Sequence, residues 1–127
     1  MLDQRIQELA GSSHVAVIST VRVDGTVQSH LMWVHHDGEY IIMNTEVHRP
    51  KFKNIDRDPR VTVLLMDKEN PYSFVEVQGS VIEQVRGPEA VQSIEYLSRK
   101  YTGAPYSTKI QSERVILKIR VDKSYHF

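Results

Sequence analysis

The sequence predicts a mainly β domain in which six or seven antiparallel strands form a small barrel, with two or three helices beside them. Two Asp-Gly pairs, Asp24-Gly25 and Asp37-Gly38, separate apolar stretches and are typical of hairpin turns, since glycine tolerates a positive φ. The stretch from Arg114 to Tyr125 alternates between apolar and charged side chains, as does a strand with one face in water. Closure is the usual way in which such a sheet removes its edges, which favours a barrel.

Length and composition limit the possible classes of protein. A chain of 127 residues predicts one domain, residues 1–127, with a single core. The net charge is zero, which argues against a nucleic-acid-binding protein, and the absence of cysteine excludes disulfides. The N-terminus lacks the apolar segment of a signal peptide, and no apolar run approaches the roughly 20 residues of a membrane span. We therefore expect a soluble, cytoplasmic protein that does not bind membranes.

The first half of the chain predicts one helix and three strands. Asp3 can cap a helix that ends at Gly11. The apolar face of this helix comprises Ile6, Leu9 and Ala10. The three strands follow as a predicted meander and comprise His14–Val23, Val27–His35 and Glu39–Asn44.

The second half predicts three more strands and a longer helix. Arg60–Met66 is apolar on both faces, which predicts a strand deep in the core. Tyr72–Val85 is a strand expected to bend at Gly79, where glycine suits a bulge. The helix begins near Pro88, and its predicted apolar stripe comprises Val91, Ile94, Tyr96, Leu97 and Tyr101. The alternating strand Arg114–Tyr125 completes the fold.

A basic turn between the third strand and a short helix is the first candidate site. Pro50 is favoured at the first helical position, and Asp58-Pro59 should end the helix. Arg49, Lys51 and Lys53 therefore cluster at a helix start, where the helix dipole favours anions and cations do not stabilise the helix. The turn predicts a phosphate or carboxylate site. The alternative is a basic turn that only faces water.

The strand before this turn offers apolar surface for a flat ligand. Leu31, Met32 and Trp33, the only tryptophan, can lie beside the turn, so that a ring would contact the strand and an anionic tail the cations. The alternative is that these side chains fill the barrel. Six histidines show no spacing typical of metal ligands, and we expect no metal. The sequence has no nucleophile elbow, glycine-rich phosphate loop or paired carboxylates, so the catalytic residues stay unknown.

The order of these segments resembles the split β-barrel flavin-binding superfamily, the group of pyridoxamine 5′-phosphate oxidase. The resemblance rests on three segments, VAVISTVRVDGTVQSHLMWVHHDGEYIIMNT, HRPKFKNIDRDPRVTVLL and SFVEVQGSVIE. Its most specific part is Arg49-x-Lys51-x-x-Asn54-x-x-x-Asp58-Pro59-Arg60. Within the superfamily the chain is most similar to short actinobacterial enzymes that use the deazaflavin coenzyme F-420 instead of FMN.

This resemblance implies an antiparallel split barrel of six or seven strands and a homodimer with two cofactor sites at the interface. The positions that correspond to cofactor-binding residues are Arg49 and Lys51 for the phosphate, Asn44 and Thr45 at the end of the preceding strand, His30, Leu31, Met32 and Trp33 along the ring system, and Gln78 and Gly79 from the partner subunit.

Two departures from the oxidase shape the expected function. Pro50 separates Arg49 from Lys51, whereas the corresponding residues of the oxidase are adjacent, and this favours F-420 over FMN. The chain stops at Phe127 without the oxidase's Arg- and His-bearing C-terminal segment, so oxidation of pyridoxamine phosphate is not expected. The resemblance implies a reductase that passes a hydride from reduced F-420 to an electron-poor double bond of a small organic substrate. The alternatives are an FMN-binding flavin reductase or oxidase and a non-enzymatic cofactor-binding or carrier module; an oligonucleotide-binding barrel is disfavoured by the few strand aromatics.

Overall fold

The fold is one antiparallel sheet with three helices packed on it. A computed structural model describes residues 1–127. Strands β1 to β7 comprise Val15–Val21, Val27–Met32, His35–His36, Ile41–Glu46, Arg60–Met66, Phe74–Arg86 and Arg114–His126. Helices α1 to α3 comprise Gln4–Gly11, Pro50–Arg57 and Pro88–Thr102. The strand order is β2-β1-β5-β6-β7-β4-β3, which confirms the predicted mainly β split barrel of seven antiparallel strands.

The two edge strands of the sheet, β2 and β3, are consecutive in the chain and are joined only by Trp33 and Val34. The prediction of one strand over Val27–His35 within a meander is wrong, because β2 pairs with β1 whereas β3 pairs with β4 at the opposite edge. The physical reason lies in α3. The Val34 N–H donates to the Tyr101 hydroxyl and the Val34 carbonyl accepts from Lys100 Nζ, so this residue needs no strand partner.

Helix α1 forms as predicted and covers part of the core. The Asp3 carboxylate accepts a hydrogen bond from the N–H of Ile6 at 2.9 Å, and the helix ends at Gly11. Its buried residues are Ile6, Leu9 and Ala10. No helix of the structure is long and apolar enough to cross a bilayer.

Helix α3 begins at Pro88, but its buried face is rotated from the predicted stripe. The buried residues are Ala90, Ile94, Leu97 and Ser98. Val91 and Tyr96, which were expected to face the core, are 43% and 49% exposed. The small side chain of Ala90 lets the helix approach β4 and β7 closely, where Ala90 packs with Ile42 and Ile116.

The core lies on the concave side of the curled sheet. In β5 the buried residues are Val61, Val63 and Leu65, while Leu64 and Met66 on the other face are half-buried. The prediction that this strand is buried on both faces is therefore correct for one face only. Arg60 and Thr62 make the first half of the outer face polar, and Leu64 and Met66 make its second half apolar.

The predicted bend at Gly79 is a β-bulge. Gln78 pairs with Lys123 and Gly79 with Val121, which leaves Asp122 without a partner on β6. A Cβ atom at Gly79 would lie 2.1 Å from the carbonyl oxygen of Arg120, a backbone atom that cannot move aside cheaply. The bulge thus requires glycine because of close packing.

We expect Gly79→Ala to lower the free energy of unfolding by about 1–3 kcal/mol or more, since it overpacks the bulge. Gly11→Ala is the matched control, because Gly11 and Gly79 are the two glycines without a positive φ. A Cβ at Gly11 would meet only the His36 ring, at 3.3 Å. Urea denaturation of both variants measures the difference, and equal losses would contradict the packing explanation.

Candidate functional site

A cleft of about 580 Å³ lies between the ends of β1 and β2, the basic turn before α2, and α3 with the loop that follows it. Seven predicted cofactor-binding residues line this cleft: Leu31, Met32, Trp33, Asn44, Thr45, Arg49 and Lys51. His30 is not among the lining residues, but its Nδ1 lies 3.3 Å from Nζ of Lys51. Gln78 and Gly79 lie on β6 away from the cleft, and their contribution from a partner subunit stays a prediction.

The charges that line the cleft have one sign although the whole chain is neutral. Four cationic side chains line it: Arg49, Lys51, Lys68 and Arg114. No aspartate or glutamate is among the lining residues. Low-dielectric walls concentrate such a field, so the cleft favours anionic ligands.

Of these four cations only Arg114 has a carboxylate partner, Glu46, and two of the other three, Arg49 and Lys51, lie at the start of α2. Arg49 is the N-cap of α2, and no side chain caps that helix end. Arg49 is exposed, whereas Lys51 is half-buried with its Nζ 3.3 Å from His30 Nδ1. Burial, and then the charges of Arg49 and Arg114, lower the pKa of Lys51. An oxyanion bound here would relieve the repulsion between the cations and interact favourably with the dipole of α2.

Asn54, a residue of the motif Arg49-x-Lys51-x-x-Asn54, is linked to His30 through Gln28. Burial, and then the charge of Lys51, lower the pKa of His30, so its ring is neutral at pH 7. His30 Nε2 lies 3.0 Å from Gln28 Nε2. The buried Asn54 amide donates to Gln28 Oε1 at 2.9 Å and to Thr20 Oγ1 at 3.1 Å. Asn54 therefore fixes α2, and with it the cations, against β1 and β2.

Arg114 is a charged site residue that sequence reasoning missed. It is 6% exposed, its Nε donates to Asn44 Oδ1 at 2.8 Å, and its Nη1 lies 3.5 Å from Glu46 Oε2. In the alternating pattern Arg114 falls on the charged face of β7 with Lys118. The signal that could have found it is Ile116, an apolar residue on that same face, which is buried beneath α3.

Aromatic side chains form one wall of the cleft. The Trp33 ring stacks on Tyr101 with centroids 5.5 Å apart and planes at 11°, and Tyr106 meets Trp33 edge-on at 6.4 Å. The Tyr101 hydroxyl donates to the carbonyl of His14 at 2.8 Å and accepts from the N–H of Val34. These bonds hold the wall rigid. Trp33, which was predicted as a site residue, lines the cleft, as do Tyr101 and Tyr106, which were not predicted as site residues.

Lys100 holds the same wall from behind. Its Nζ donates to the carbonyls of Ala10 and Val34 and lies 5.1 Å from the centroid of the Tyr101 ring. Burial lowers the pKa of Lys100 to about 8. The unfolded chain, with a lysine pKa of about 10.4, binds more protons between these two values, so stability should rise with pH over that interval.

We expect the stability difference between wild type and Lys100→Met to shift in favour of the wild type as the pH rises above about 8. The free-energy cost of burying the charged amine disappears as the amine loses its proton, whereas the methionine side chain carries no charge at any pH. Urea denaturation between neutral pH and the lysine range measures it, with the exposed Lys109→Met as control. A difference that is independent of pH would contradict the assignment.

Comparisons with known proteins show the family and the fold of the chain. A family model described as pyridoxamine 5′-phosphate oxidase matches residues 2–127. An F-420 reductase of known structure is 28% identical, with a TM-score of 0.84 and coverage of 98% of this chain and 98% of its own. A conserved hypothetical protein from Mycobacterium tuberculosis is 28% identical, with a TM-score of 0.78 and coverage of 100% and 84% respectively.

Two further comparisons are less specific. General Stress Protein 26 from Bacillus anthracis is 23% identical, covers 97% of this chain and 91% of its own with a TM-score of 0.70, and is similar in fold alone. A search of curated proteins finds no match.

Proposed function

The chain belongs to the pyridoxamine 5′-phosphate oxidase family, and we propose that it is an F-420-dependent reductase acting on an electron-poor double bond of a small organic substrate. The fold and the F-420 reductase neighbour support a flavin- or deazaflavin-binding oxidoreductase. The observation that carries the proposal is the cleft itself, which combines four cations and no carboxylate with a rigid aromatic wall. FMN, bound by the same cations, is the alternative cofactor.

The residues present fit a planar cofactor with an anionic tail. Arg49 and Lys51, which have no carboxylate partner, would hold an oxyanion beside the start of α2. Met32 and Trp33 offer apolar and aromatic surface for a ring system. The cleft volume of about 580 Å³ falls in the range of about 300–1,000 Å³ common for small-molecule sites.

The chain's own contribution to the reaction is binding, orientation and exclusion of water. Bound F-420 would supply the hydride chemistry. The Trp33–Tyr101 stack fixes one wall, and Asn54 holds α2 and its cations in place. No carboxylate lines the cleft and the Tyr101 hydroxyl is engaged by backbone, so neither supplies the proton that accompanies the hydride.

The cofactor assignment is tested by anaerobic fluorescence titration with F-420 and, in parallel, with FMN. We expect F-420 to bind with micromolar or tighter affinity and FMN more weakly. Arg49→Ala with Lys51→Ala should weaken binding by about 100-fold or more, since two charge-assisted contacts are lost, and should not lower the unfolding temperature of the free protein. Lys53→Ala, on the same helix but outside the cleft, is the control.

The other outcomes of the titration each contradict one part of the proposal. A double variant that binds F-420 as tightly as the wild type would refute the anion site. Tight binding of FMN and weak binding of F-420 would move the protein to the FMN branch. Tight binding without turnover of a broad panel of activated alkenes would identify a carrier module.

A homodimer with the cofactor site at its interface forms part of the proposal. The convex face of β1, β2, β5 and β6 carries an apolar patch: Val15, Val17, Leu31, Leu64, Met66 and Phe74. Leu31, which is 72% exposed, and Val15 also line the cleft, so a second copy on this face would cover the open side of the cleft. Gln78 is exposed on the same face, which supports its predicted contribution from the partner subunit.

We expect Leu31→Glu to dissociate the dimer, because it places charges on both sides of an apolar interface. Val91→Glu, at an exposed apolar position on α3, is the control. Sedimentation velocity of wild type and both variants gives the oligomeric state. A monomeric wild type, or a dimer unaffected by Leu31→Glu, would refute this interface.

A further inference from the structure

We propose that Arg114 is a third oxyanion-binding residue of the cleft and that Glu46 sets how much of its charge a ligand receives. The inference rests on the proposed anion site and extends it from the exposed turn to a buried ion pair. It concerns the phosphate or carboxylate of the ligand, whichever cofactor carries it.

The unused donors of Arg114 are the first observation. The residue is 6% exposed and lines the cleft; its Nε donates to Asn44, and burial lowers the pKa of its guanidinium while the nearby Tyr106 and Glu46 raise it. A guanidinium carries five N–H donors, more than the oxygens of Asn44, Glu46 and Tyr106 accept. The guanidinium carbon lies 5.4 Å from the centroid of the Tyr106 ring, a contact that helps to fix its plane. The terminal nitrogens are thus held in place with donors available for an oxyanion.

The second observation is that the two carboxylate oxygens of Glu46 have different partners. This carboxylate is 1% exposed; its Oε1 accepts from the N–H of Gln111 at 2.6 Å and of Ser112 at 2.7 Å. Only Oε2 remains for Arg114, and the contact of 3.5 Å is long for an ion pair. Against burial, which raises it, the two N–H groups and Arg114 lower the pKa of Glu46, so the carboxylate stays charged.

The charges therefore do not balance within this group. Of Arg49, Lys51 and Arg114, only Arg114 has a carboxylate partner, Glu46. Burial, and then repulsion by Arg49 and Arg114, lower the pKa of Lys51. An incoming oxyanion relieves this repulsion and competes with Glu46 for Arg114. Removing the charge of Glu46 should then strengthen binding of the ligand, whereas a purely structural residue has no reason to do so.

Glu46→Gln tests this competition. The side-chain oxygen of glutamine can still accept from both loop N–H groups, while its charge is lost. We expect the affinity for inorganic phosphate, and for whichever of F-420 and FMN binds the wild type, to rise by about 3- to 10-fold, as for the loss of one nearby opposing charge. Unchanged or weaker binding by a folded Glu46→Gln protein would overturn the role of Glu46.

The pair variant Arg114→Gln with Glu46→Gln tests Arg114 without leaving a buried charge unpaired. We expect circular dichroism and unfolding temperature close to those of the wild type, and affinity reduced by about 10-fold or more. Wild-type affinity in this pair variant would overturn the proposal. If it does not fold, the conservative Arg114→Lys replaces it, with weakened binding expected and unchanged binding contradicting the role.

A direct readout separates this inference from the cofactor assignment. The Arg114 Nε–H, held by Asn44, should give a resolved NMR signal that moves when inorganic phosphate is added to the wild type. If F-420 and FMN both fail to bind but this signal moves, the cofactor assignment falls and Arg114 stands. If a cofactor binds and the signal does not move with it or with phosphate, Arg114 is not a ligand residue.

Discussion

The whole architecture depends on the way in which the backbone of Val34 is satisfied. Its N–H and carbonyl bond to Tyr101 and Lys100 of α3, so the chain can leave one edge of the sheet and enter the other without an unpaired buried group. The same two side chains support Trp33. The contact that allows the sheet to curl is therefore also the contact that builds the aromatic wall of the cleft.

Local signals predicted the elements whose ends are determined by their own residues. The Asp3 cap, the start of α2 at Pro50 and the bulge at Gly79 are all present where the sequence places them. The division of the strand predicted over Val27–His35 could not be predicted in this way, since its partners lie 66 and 67 residues away in α3. A run of β-favouring residues cannot indicate which sheet edge it will join.

The charged residues of the candidate site could likewise be predicted only where local sequence determines their position. Arg49 and Lys51 were predicted because they flank a proline at a helix start, a local feature. Arg114 was not, because an arginine at the beginning of an alternating strand looks like any solvated charge until α3 covers that face. Composition did not reveal the site either, since the net charge of zero does not show that the lysine and arginine residues of the cleft lack aspartate or glutamate among the other lining residues. The distribution of charge over the folded protein, which depends on tertiary contacts, determines which class of ligand the cleft favours.

Cations gathered without counter-charges lower the stability of the free protein, which gives the cleft a thermodynamic meaning of its own. The pKa of Lys51 is lowered by burial and by its neighbours, so the folded chain holds its proton less firmly than the unfolded chain does. A ligand that neutralises this group binds the folded state only and stabilises it by about 2.7 kcal/mol at a concentration of 100 Kd. The fold thus carries, in the basic turn and in the incompletely paired Arg114, strain that an anion relieves, and the rigid aromatic wall would direct the rest of that ligand.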